Sequence, residues 1–172
     1  MARLASDRYK KKPHLPEGQP AAMEPLSALA AEATRQDWRE LGFFYMSDEL
    51  GQVWHLHGSR AGLRKFADRL DSYARASHVA LNGGHEHLGP HCYLTLTTWL
   101  HADVDRTGIR GQACDFERMA SLVRDACASI EPGQTSRVRE QFATKAAYAL
   151  ILHAHADGFD PAGLDPQLAM SD

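Results

Sequence analysis

Hydrophobic positions along this chain switch between two periods, and the switches mark its elements. Leu63, Phe66, Ala67, Leu70, Tyr73 and Ala74 recur every three or four residues, which predicts a helix from about Arg60 to Arg75 with Ser59 as its N-cap. The same period runs through Phe116, Met119, Ala120, Val123, Ala126, Cys127 and Ile130, with Asp115 as the expected cap and Pro132-Gly133 as the stop. Leu26, Leu29, Ala30, Ala33 and Trp38 predict an N-terminal helix opening at Pro25. Val138, Phe142, Tyr148, Ala149 and Leu152 predict a last helix from about Ser136 to His155.

Between the helices the period drops to two. Gly42 to Met46 is short and aromatic, Ser47 to Gly51 supplies turn residues, and Val53 to His57 follows, which reads as a β-hairpin. Within its second strand Trp54 and Leu56 share the core side, leaving Val53, His55 and His57 on the other. The clearest strand comes after Gly89-Pro90, where Cys92, Leu94, Leu96, Thr98 and Leu100 alternate with Tyr93, Thr95, Thr97 and Trp99. It pairs with His85 to Leu88 in a second hairpin. His101 to Thr107 reads as a polar loop and Gly108 to Ala113 as a short further strand. The fold class expected is α+β: a mainly antiparallel sheet of four to five strands, in the order hairpin, helix, hairpin, short strand, helix. Its helices pack on one face, with extra N- and C-terminal helices.

Length and composition narrow this picture. At 172 residues, with 44% apolar and 24% charged residues, the chain suits one globular domain with tails. Residues 1–24, with Lys10 to Lys12, Pro13, Pro16 and Pro20, read as a flexible basic arm, and residues 25–156 as one α+β domain. Residues 157–172, where Asp157, Asp160, Asp165 and Asp172 face no Lys or Arg, read as a mobile acidic tail. A net charge of −3 argues against a general nucleic-acid binder. No apolar run is long enough for a membrane span or signal peptide, so a cytoplasmic protein is expected. Cys92, Cys114 and Cys127 read as reduced core thiols, because they are odd in number and widely spaced.

The candidate chemistry gathers in Gly83 to Trp99, which holds His85, His87 and His91 out of ten histidines. His85 and His87 share a strand face, and His55 and His57 share another, so a metal site of His55, His57, His85 and His87 serving a small hydrolase is one reading. His153 and His155 fall on opposite sides of the expected last helix and are not available as a pair. No His-Glu-x-x-His, Gly-x-Ser-x-Gly, P-loop or dinucleotide-binding motif is present, and no cofactor is expected. Histidines on strands are also ordinary hydrogen-bonding surface groups, and Tyr93 and Trp99 on the half-exposed strand face suit a contact surface better than a reaction centre.

The order of elements and three local patterns resemble a family of bacterial immunity proteins from polymorphic toxin systems, the one numbered thirty-two. The residues that carry the resemblance are Val53-Trp54-His55-Leu56-His57-Gly58-Ser59 through Leu63 and Phe66-Ala67. Glu86-His87-Leu88-Gly89-Pro90, Tyr93-Leu94 and Thr98-Trp99 follow, then Gly108-Ile109-Arg110-Gly111 leading into Phe116 to Leu122. The resemblance spans about residues 42–128. It implies an α+β domain that binds and neutralises a cognate toxin domain, without catalysis. The contact surface expected on that basis is His85, Glu86, His87, His91, Tyr93, Trp99 and Arg110.

Overall fold

The computed structural model describes residues 26–76, 84–90, 94–139 and 141–170. Its elements run α1 (Ala28–Leu41), β1 (Phe44–Asp48), β2 (Val53–Ser59), α2 (Arg60–Arg75), β3 (His85–Leu88) and β4 (Leu94–Thr98). They continue with β5 (Asp103–Asp105), β6 (Gly108–Gly111), α3 (Ala113–Ser129), β7 (Thr135–Val138), β8 (Ala149–His155) and α4 (Pro166–Ala169). The basic arm expected over residues 1–24 lies outside the described residues.

α2 forms where the apolar stripe predicts it. Ser59 caps it by accepting from Gly62 N, and Leu63, Phe66, Ala67, Leu70 and Tyr73 are buried. Burial of Leu63, Phe66 and Leu70 contributes about 1.5–3 kcal/mol each relative to exposure. α3 begins two residues before its expected cap. Gln112 is the N-cap, and Asp115 sits at the third helical position, where its carboxylate accepts from Gln112 N in a capping box. α1 starts at Ala28, capped by Ser27, rather than at Pro25 and buries Ala31, Trp38 and Leu41, while Leu29 is 83% exposed. α2 and α3 pack on each other, and their buried residues join the inward faces of the strands in one core.

The strands form two four-stranded sheets and not one. The first has the order β1-β2-β8-β7 and the second β3-β4-β6-β5. Both are mixed, since the central pairs β2–β8 and β4–β6 are parallel and each outer pair is antiparallel. The expected single, mainly antiparallel sheet is corrected in two places. β5 occupies the expected polar loop, where Val104 is buried and pairs with Ile109. The expected last helix is instead a hairpin of β7 and β8. Leu150, Leu152 and Ala154 point inward and alternate with Ile151, His153 and His155, a period of two that the helical reading of Val138 to Leu152 overrode.

The topology contains an internal two-fold pattern. β1-β2-α2-β3-β4 and β5-β6-α3-β7-β8 are each hairpin, helix, hairpin, and each sheet takes one hairpin from each half. Gly58, Leu63, Phe66, Ala67 and Leu70 recur as Gly111, Phe116, Met119, Ala120 and Val123 at the same spacing. The registers agree as well: His57 faces His153 in the first sheet where Arg110 faces Thr97 in the second.

Residues expected to form a mobile acidic tail pack onto α1. A 3-10 turn at Pro161–Leu164 leads into α4, and Leu168 is buried. Trp38 Nε1 donates to the Asp165 carboxylate at 2.7 Å, and Asp165 is buried. Arg39 and Asp160 form an ion pair at 2.8 Å, which holds the Asp160 carboxyl below the usual carboxylate range. These acids are therefore partnered from α1 and serve as packing groups.

Candidate functional site

Two outer sheet faces carry the chemistry-bearing side chains. On the second sheet, His85 lies opposite Thr97 and His87 opposite Thr95, while Arg110 lies between Thr97 and Asp103. The structure thus places His85, His87 and Arg110 on one sheet face, as strand alternation requires. Glu86 pairs with Leu96 and belongs to the opposite, inward face. His91 and Tyr93 lie outside the described residues.

Trp99 follows directly after β4 and is 48% exposed, with its N–H donating to Gly111 O at 2.9 Å. The Arg110 guanidinium stands over its ring, 5.7 Å from the centroid, and pairs with Asp105 at 2.9 Å. Arg110 also donates to the Thr107 hydroxyl at 3.2 Å. Asp105 in turn accepts from Thr107 N at 2.7 Å and from the Thr107 hydroxyl at 2.6 Å. The cation is thus fixed over the indole by a carboxylate that is itself held by its turn. Arg110 Nε is buried with no hydrogen-bond partner among the described residues. His87 Nδ1 and the Thr95 hydroxyl are 3.1 Å apart, and the His85 and His87 rings meet edge to face at 5.0 Å. Leu100, expected on the buried side, is 58% exposed because the strand stops at Thr98. It extends the apolar part of this patch beside Trp99.

Two glycines allow the close approaches beneath this face. Gly108 has φ +142°, and a Cβ there would collide with the Thr95 carbonyl of the paired strand. Gly89 has φ +83°, and a Cβ there would collide with Tyr45, whose hydroxyl donates to Leu88 O and ties the two sheets together. Trp54 Nε1 makes a second tie by donating to Asp105 O at 2.7 Å.

The outer face of the first sheet holds a feature that the sequence reading missed. β2 and β8 run parallel with His57 beside His153, so His55, His57, His153 and His155 form a four-imidazole ladder across one strand pair. His55 Nδ1 and His153 Nε2 are 2.9 Å apart, and His57 Nδ1 and His155 Nε2 are 3.1 Å apart. In each pair one ring nitrogen donates and the other accepts. The His57 and His153 rings stack at 4.1 Å and 9°, and His155 stacks on Phe159 at 4.1 Å and 17°. Burial first, then His153, His155 and His55, push the His57 imidazole down to about 4. Burial, followed by His55 and His155, lowers His153, and burial lowers His155. A period of two through His153 and His155 was the available signal, hidden while that segment was read as a helix.

The metal set anticipated from sequence is not assembled. His55 and His57 lie on the first sheet, whereas His85 and His87 lie on the second. Among the described residues, no three His, Cys, Asp or Glu side chains converge where they could hold a metal ion. The thiols are no closer to a reaction centre: Cys127 is buried, with burial raising its pKa, and Cys114 is exposed, not the core thiol expected. Cys92 lies outside the described residues.

Comparison with known protein families bears directly on this fold. The family model of Immunity protein 32 matches residues 53–99. The matched segment covers β2, α2, β3 and β4 and ends on Trp99, in agreement with the family resemblance of the sequence over that stretch. Neither the comparison with curated proteins nor that with solved structures finds a match. No helix among the described residues is long and apolar enough to cross a membrane.

Proposed function

We propose that this chain is an immunity protein that binds a cognate bacterial toxin domain in the cytoplasm and neutralises it without catalysis. The match of residues 53–99 to Immunity protein 32 carries the reading. The outer face of the second sheet serves as the docking surface, with Trp99 as its aromatic anchor and Arg110, His85 and His87 around it. Such a surface suits protein recognition physically. A half-exposed indole buries a large apolar area at small entropic cost, and a prepositioned guanidinium supplies a directional charged contact. Glu86, on the inward face of β3, then supports the strand instead of touching the toxin.

The test is co-expression with the toxin domain encoded beside this gene. Rescue of growth, together with a complex that survives gel filtration, is the expected result. Continued killing with no complex, from a chain shown to be folded by circular dichroism, overturns the reading. Trp99→Ala then asks whether the docking surface is the one named.

A further inference from the structure

The histidine ladder has no part in the docking surface, yet its geometry is specific. Four imidazoles on two parallel strands place ring nitrogens about a hydrogen bond apart in two places. One of these places opens onto space. His57, His153 and His155 border a depression of about 330 Å³, whose wall also includes Gln134 and Thr135. The His55–His153 contact is shorter, and His55 does not line that depression.

We propose that His57 and His155 form a two-imidazole site for a borderline divalent transition-metal cation, of the Zn²⁺ or Ni²⁺ kind, at the open end of the β2–β8 pair. Two nitrogens bound at about 2.0–2.1 Å to a tetrahedral ion lie roughly 3.3 Å apart. His57 Nδ1 and His155 Nε2 already stand 3.1 Å apart, so a slight widening, with the two rings turned to aim both nitrogens at one point beside their contact, admits the ion. Both rings are held in place by stacking, His57 on His153 and His155 on Phe159, which limits the ordering cost of capture. Proton balance is simple. The donating ring of the His57–His155 contact first moves its proton, by way of solvent, to its other nitrogen, so that both facing nitrogens present lone pairs to the cation; each ring keeps one proton and none is released.

The walls of the depression decide which ions fit. They carry imidazole, amide and hydroxyl groups but no carboxylate, a donor set that favours nitrogen-seeking ions over Mg²⁺ and Ca²⁺. With no third protein ligand converging among the described residues, water completes the shell, and the ion exchanges with solvent. Affinity on the order of 1–100 μM follows, far below that of four-ligand structural zinc. The site belongs to the fold as a whole, because β2 comes from the first half of the chain and β8 from the second.

The experiment is calorimetric titration of the full chain, purified without a histidine tag and stripped with EDTA, against ZnCl₂, NiCl₂ and MgCl₂ at pH 7.5. One equivalent of Zn²⁺ or Ni²⁺ and no Mg²⁺ is the expected result. His155→Gln should weaken binding at least tenfold, while His85→Gln/His87→Gln leaves it unchanged. Imidazole ¹⁵N spectra of the unmodified protein give a readout independent of the folding of any variant, with His57 and His155 expected to shift first on adding Zn²⁺. Absence of heat with both transition metals overturns the proposal. So does binding that persists in a folded His155→Gln variant, or spectral shifts that begin at His85 and His87.

Discussion

In the first sheet His57 leans on His155. At the matching positions of the second sheet Arg110 stands over Trp99. The two sites share strand order, register and the parallel central pair, and apart from Gly108, whose φ is +142° where its counterpart His55 has no positive φ, the backbone does not distinguish them. What differs is side-chain chemistry. Imidazoles stacked across two strands make a face suited to protons and metal ions, whereas a guanidinium clamped between an indole and a carboxylate makes one suited to directional charged contacts. A repeated frame therefore supplies two platforms, and residue choice gives each its own partner chemistry.

The sharpest way to break this equivalence is at Gly108, whose counterpart in the first sheet is His55. Gly108→Ala should cost about 3 kcal/mol or more, through the collision with Thr95 and the positive φ. His55→Gly should cost only about 1 kcal/mol. Urea denaturation of both variants checks the contrast, and equal losses would mean that the two frames are not stressed differently at this position. Next in size, Trp99→Ala should weaken toxin binding by about 2 kcal/mol or more, roughly thirtyfold, with little change in stability. His153→Gln, on the other face, should leave that affinity within about twofold in the presence of chelator. Surface plasmon resonance separates the two.

Acid should sharpen the comparison further. The folded state holds His57 at about 4, below its ordinary value of 6.5, so the unfolded chain binds the extra proton more readily. The stability from this group is complete above pH 6.5 and declines as pH falls from there towards 4. The ring is about half exposed, so the loss is on the order of 1–2 kcal/mol and not the full value of the shift. His57→Gln should flatten that part of a pH series of urea midpoints recorded in EDTA. The smallest effect belongs to exchange: His57→Arg/His155→Trp, which copies the second sheet's pair onto the first, should change stability by no more than about 1 kcal/mol.

Local elements were the most legible part of the sequence. α2, with its Ser59 cap and its Leu63, Phe66 and Leu70 stripe, and the Leu94/Leu96 alternation of β4 carry their period within a few residues, and both appear as read. The shared face of His85 and His87 was legible for the same reason, whereas Arg110 joins it only through the pairing of β6 with β4. Pairing between distant segments was not. Nothing near Ala149 to His155 announces that β2 is its neighbour, and alanine and leucine suit either element, so helical spacing through Val138, Phe142 and Leu152 could imitate a stripe. The ladder emerges only once that pairing is known. The C-terminal acids misled through charge alone, since the partners of Asp160 and Asp165 are Arg39 and Trp38 of α1.

The exchange of hairpins between the two halves also governs the order of synthesis and folding. When a ribosome has finished β4, the chain holds β2 and β4, each with one antiparallel neighbour and one open edge, and the strands that will cover those edges are still unmade. β6 closes the second sheet early, but β2 waits for β8, which follows only after the whole second sheet, α3 and β7. At roughly 5–20 residues per second, that delay leaves an adhesive edge exposed for several seconds. Stalled or truncated products ending between β4 and β8 should therefore be the species that aggregate or engage chaperones.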